Sequence, residues 1–184
     1  MPLTRRWLPA MLLTLLFAPL AAAQEPQDQA TFASHVRPVN GLGPLVEEAA
    51  RRSREVRTLL DQLEAADVIV YIRGRSFEDP ELDGRVGLLA ITKLQRYLVI
   101  EISCMETTIV QMATLGHELY HALEIAREPS IVDTRTLAAH YRRIGKQQGD
   151  AIGRLTFETA AAFEAGRRTR RELLVNRTRS ANGS

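Results

Sequence analysis

The stretch ATLGHELYHALEIA, residues 113–126, constrains the fold more than any other part of the chain. At about 100° per residue, apolar side chains around it fall on nearly every side of a helix spanning 105–127. They include Ile109, Val110, Met112, Leu115, Leu119, Leu123 and Ile125. A helix that is apolar all round is normally buried, so this one is predicted to run through the interior. Yet it carries His117, Glu118 and His121. Titratable groups inside a protein are costly unless a partner meets them.

Histidines four residues apart lie one above the other on the same face of a helix. His117 and His121 can therefore converge on one metal ion. Glu118 is offset by about 100° and can reach the metal's open side. That is the His-Glu-x-x-His arrangement, in which the glutamate serves as a general base. Gly116 leaves room beside the first histidine. Two buried histidines held by acids or backbone, or a closed structural zinc site, are the alternatives.

Around this helix the chain reads as one α+β domain over 44–175. Residues 44–66 are predicted as a helix with Pro44 in its first turn. Residues 67–74, 85–93 and 96–103 are predicted as strands, giving a small three-stranded sheet. A helix starting at Asp133 or Thr134 is expected to reach Gln148, and a last one to span 152–175. Residues 24–43 read as a flexible arm and 176–184 as a disordered tail. Cys104, the one cysteine, is expected in the core, and no internal disulfide can form.

The chain opens with Arg5-Arg6, an apolar run from Trp7 to Leu20, and Ala21-Ala22-Ala23. That is the pattern of a secretory signal cleaved after Ala23, so 1–23 is expected to be removed and the protein exported, periplasmic or secreted. The run is short for a bilayer span, and no stable membrane insertion is expected after cleavage. Removing the segment takes away two arginines and no acid, so the formal charge falls from +2 to 0. Nucleic acid thereby loses its electrostatic argument. The runs RRSR at 51–54 and RRTRR at 167–171 read as solvated helix faces.

On residues 113–125 the chain resembles the zincin metallopeptidases. The wider chain resembles small exported bacterial proteins that carry a GHELxHALE helix. The resemblance implies one zinc ion, His117 and His121 as ligands, Glu118 as catalytic base, and a peptide or protein substrate. It also lends support to a strand above the helix, with 96–103 a candidate edge for an extended peptide. The metzincin version needs a histidine at 127, where this chain has Arg127. A gluzincin-like version takes a glutamate from a later helix.

Three residues are candidates for that third ligand. Glu124 shares the face of the histidines but lies about 10 Å along the axis from His117, so it suits a supporting bond to a histidine. Glu158, at the edge of the last helix's inward stripe, is the stronger candidate. His140 remains open, as ligand or oxyanion stabiliser. Tyr141 and Tyr120 are candidate donors to a tetrahedral intermediate, with Tyr120 better read as core. Glu164 falls on the opposite face of its helix. The leading reading is a zinc-dependent peptidase. The alternatives are a non-catalytic zincin-like metal- or protein-binding module of the cell envelope, and a metal-free structural domain.

Overall fold

The computed structural model describes residues 34–149 and 155–181. The expected signal segment 1–23 and the first part of the expected arm lie outside them. The described chain folds as an α+β unit: a mixed sheet with several helices, one of which bears the His-Glu-x-x-His motif.

The sheet has four strands, not three. They are β1 (Val36–Pro38), β2 (Val68–Arg75), β3 (Gly84–Ile91) and β4 (Arg96–Ser103), in the order β1-β2-β4-β3. β1 runs parallel to β2, β2 parallel to β4, and β3 closes an antiparallel hairpin onto β4. β1 belongs to the segment expected to be a flexible arm. The carboxylate of Glu64 fixes its start by accepting the His35 amide at 2.7 Å. β4 is an inner strand, which corrects its reading as an edge. Its Leu98, Ile100 and Ile102 are buried, paired with Val70, Ile72 and Gly74 on one side and Leu88, Val86 and Gly84 on the other. The free edges belong to β1 and β3.

The predicted helix 44–66 is two helices, α1 (Gly43–Arg52) and α2 (Arg54–Glu64). Ser53 divides them. Its backbone is extended, and its hydroxyl accepts the amide of Val56 at 3.2 Å as the cap of α2. A capped helix start inside an apolar stripe satisfies an amide that would otherwise be orphaned. Val46 and Ala49 from α1 join Val56, Leu59 and Leu63 from α2 in one core.

α3 (Thr108–Ala126) is the predicted central helix. It packs on β3 and β4, with α2 and α5 at its flanks. Ten of its residues are buried, including His121 and Glu118. Its C-terminal carbonyls are met by a buried arginine from the sheet: Arg96 donates to Ile125 O at 3.0 Å, Ala126 O at 2.8 Å and Glu128 O at 2.9 Å.

Two further corrections concern the end of the chain. The helix expected to reach Gln148 stops at Ile144 (α4, Thr134–Ile144), and a short hairpin follows, β5 (Lys146–Gly149) and β6 (Leu155–Glu158). α5 then runs from Ala160 to Ala181, so most of the expected disordered tail is helical. Cys104 is exposed rather than buried, at the turn after β4.

On the other side of β4 from Ile100 and Ile102, Glu101 is only 2 % exposed. Burial works against its charge, but hydrogen bonds from Arg75, Arg73 and Arg85 overcome this and hold the carboxyl down at about 2.

Candidate metal centre

Two glycines let α5 lie close against α3. A Cβ on Gly116 would stand 2.2 Å from Thr169 Oγ1, and one on Gly166 would stand 3.2 Å from His117 Cβ. A side chain at Gly116 would force Thr169 to shift, and one at Gly166 would press on His117 by a few tenths of an ångström. The hairpin strand β6, just ahead of α5, ends at Glu158 and delivers its carboxylate to the histidines. Glu158 was expected on a helix, and the structure places it at the end of a strand instead.

His117 Nε2 lies 3.1 Å from Glu158 Oε2, and His121 Nε2 lies 3.8 Å from the same oxygen. The two imidazoles stand edge to face, 4.8 Å between centroids. One donor atom from each of the three residues falls within 4.8 Å of the others. A tetrahedral zinc with bonds of about 2.0–2.1 Å sets its ligands roughly 3.3 Å apart; the 3.1 and 3.8 Å separations bracket that value, and the outer limit of 4.8 Å calls for the side chains to draw in on a cation. Two of the atoms, His121 Nε2 and Glu158 Oε2, are buried without a hydrogen-bond partner among the described residues. The 3.1 Å approach is therefore close but not aligned as a hydrogen bond. Buried polar atoms that share no hydrogen bond among the described residues are compatible with a metal-ligand set. The cluster is consistent with an HExxH-type zincin site. Comparisons with protein-family models, with curated proteins and with solved structures return no match for this chain.

The electrostatics agree with that geometry. Burial opposes the charge of Glu158, but the imidazoles of His117 and His121 outweigh it and bring the carboxyl down to about 2. Burial likewise opposes a proton on His121, yet Glu124 and Glu158 raise its value to about 10. Metal binding at His121 therefore competes with its protonation.

Glu118 is 5 % exposed, between α3 and the start of β3. Its Oε1 lies 3.1 Å from where a Cβ on Gly84 would stand. Burial pushes its carboxyl up, against the pull of His117 and His121.

Behind His121 stands a set of polar side chains. Its Nδ1 is 2.8 Å from Glu124 Oε2. The Tyr141 hydroxyl reaches the His121 carbonyl at 3.2 Å and Glu124 Oε2 at 3.3 Å. Tyr141 is thus turned towards this carboxylate, and burial raises its phenol well above the usual range. Tyr120 packs against the core. His140 lies apart from the cluster, 3.5 Å from Glu128 and 3.0 Å from Arg143. Glu164 pairs with Arg171 at 2.8 Å.

One further residue takes part in this arrangement. Thr159 follows Glu158 directly, is buried, and donates to Glu124 Oε1 at 2.7 Å. The same hydroxyl accepts the Ala162 amide at 3.1 Å, capping α5. It therefore ties the Glu158 backbone to the carboxylate that orients His121. Its only sequence signal is a hydroxyl residue one step before a helix start. We expect Thr159→Val to weaken zinc binding about 10–100-fold, the usual scale for a partner behind a metal ligand. Thr159→Ser should restore most of it. Competition against a chromophoric chelator measures both, and equal affinity in all three proteins would remove Thr159 from the site.

Proposed function

We propose that this protein is a zinc-dependent peptidase, exported to the periplasm or beyond. The observation that carries the reading is the convergence of His117 Nε2, His121 Nε2 and Glu158 Oε2 beside a buried glutamate that is not part of the ligand set. Two nitrogens and one carboxylate oxygen are the donor set of a catalytic zinc site, which keeps a fourth position open. A bound zinc ion there would supply Lewis acidity, polarising a peptide carbonyl and lowering the pKa of water.

The remaining work falls to the side chains. Glu118 takes a proton from water and returns it to the departing amine. A carboxyl raised by burial is suited to both halves of that exchange near neutral pH. Glu124, held by Thr159 and Tyr141, fixes the ring of His121 and adds negative charge behind it. The free edge of β3, which begins at Gly84 against Glu118, offers backbone groups to an extended peptide. Among the described residues no helix is long and apolar enough to cross a membrane.

The close cover of Gly84 over Glu118 favours a second reading, a non-catalytic metal-binding module that keeps the ligand set. Protein purified without a histidine tag and assayed for metal and for cleavage of unfolded peptides separates them. A peptidase holds about one zinc per chain, loses cleavage with a chelator and regains it with zinc. Zinc without cleavage supports the binding module, and absence of any metal rejects both.

A further inference from the structure

The two arginine runs, separate in sequence, meet in the fold. Ser53 is buried at the break between α1 and α2, and its hydroxyl donates to Glu172 Oε2 at 2.6 Å. The same oxygen accepts the Glu55 amide at 3.1 Å, and Arg52 donates to the Leu173 carbonyl at 2.8 Å. Thr169 and Leu173, beside these contacts on α5, are fully buried. The N-terminus of α2 is thus fixed against α5. Between them lies a cavity of about 320 Å³ lined by Arg51, Arg52, Arg54, Arg57 and Arg171, with Glu172 its acid and Val175 its apolar member.

The charges here do not cancel. Glu172 is engaged by Ser53 and the α2 amide. Arg51 turns to Glu48 at 3.0 Å, Arg171 to Glu164 at 2.8 Å, and Arg57 to the Ala50 carbonyl at 2.6 Å. Arg54 has no hydrogen-bond or ion-pair partner among the described residues. Glu48 also takes Arg52 at 3.5 Å, and Glu55, in the first turn of α2, pairs with Arg168 at 3.3 Å, so six guanidiniums here meet four carboxylates. Guanidinium forks match the oxygens of a phosphate group, and several forks around one concavity suit a multiply charged anion better than a single carboxylate. Val175, exposed, puts apolar surface at the rim.

We propose that this cavity binds the phosphate group of an anionic ligand. It is a second site, independent of the metal cluster. Its nearest lining residue on α5, Arg171, lies about 7.5 Å along the axis beyond Gly166, and it shares no residue with the cluster. The phosphate belongs either to a free phosphate compound or to a phospholipid headgroup, whose acyl chains the apolar rim would meet.

The test uses the purified metal-loaded protein, and the variants, none of them in the metal cluster, separate this site from any phosphate taken up there. Pyrophosphate binding is followed by calorimetry at about 0.15 M salt, where exposed charges further than roughly 8 Å apart are screened. Vesicle binding is followed by co-sedimentation with phosphatidylcholine alone and with added phosphatidylglycerol. Wild type and the control Arg142→Gln, on α4, should bind alike. The double variant Arg54→Gln with Arg171→Gln should bind at least tenfold more weakly, and so should Arg54→Glu alone, an exposed position whose change leaves packing untouched. Binding to pyrophosphate alone marks a free phosphate compound as the ligand. Binding only to vesicles with phosphatidylglycerol marks the headgroup. No binding to either probe, or a loss under tenfold in both variants, overturns the site.

Discussion

Replacing Glu118 by glutamine should leave the zinc content unchanged and lower kcat for peptide hydrolysis by about 10²–10⁴, the range for loss of a positioned general base. Glutamine preserves the shape against Gly84, beside which the glutamate side chain is closely seated. It also removes a buried carboxyl without leaving an unpaired charge, so the fold should hold. What it cannot do is accept a proton. A fall in kcat with little change in KM would place the residue in the chemical step rather than in substrate binding. Metal analysis alongside steady-state kinetics makes the comparison. Undiminished activity in zinc-loaded Glu118→Gln would sink the mechanism. Loss of zinc would show instead that the glutamate supports the ligand set.

The second large effect lies at the other end of α3. Arg96→Met should reduce stability by about 1–3 kcal/mol, the cost of one buried acceptor left unmet. The arginine is 8 % exposed and bonds three carbonyls at the helix terminus as well as Asp67 at 2.7 Å. Methionine keeps the apolar stem but removes every donor, leaving Ala126 O unmet, while Ile125 O keeps the Glu128 amide and Glu128 O keeps the Ile131 amide. Each buried acceptor left unmet costs about 1–3 kcal/mol, partly relieved where water can enter. Arg96→Lys should recover only part, because an ammonium lacks the fork that reaches several carbonyls at once. Urea unfolding should show a lower midpoint with an unchanged slope. A loss below about 1 kcal/mol would mean that the helix end finds other partners.

The central helix was legible because its pattern leaves little choice. Only an interior helix carries apolar residues on all sides, and the histidine spacing names the face that meets the metal. Glu158 was legible as an acid in need of a positive partner, but its element was not. Leu155-Thr156-Phe157-Glu158 is too short to separate a strand from a helix turn by period, and its pairing with Lys146–Gly149 is a tertiary fact. The division at Ser53 was hidden because α1 and α2 bury the same side, so one apolar stripe runs through the break. β1 escaped notice as three residues ending in proline. The inner position of β4 had a signal that was passed over. Its Leu98-Val99-Ile100 run is what a strand flanked on both sides looks like, while Glu101 gave the appearance of a solvent face. That glutamate is instead enclosed by arginines from β2 and β3, which no single-strand pattern announces.

The close seat of α5 on α3 has a thermodynamic side. The histidines belong to one helix and Glu158 to the entry of the other, so a metal ion can have all three only when the helices are together. Occupancy and docking are then linked, and linkage is reciprocal. Whatever the ion contributes to holding α5 in place, the seating of α5 returns to the ion's affinity. Gly116 and Gly166 set how closely the helices meet. They therefore help determine how tightly the metal is held, although neither has a side chain with which to touch it.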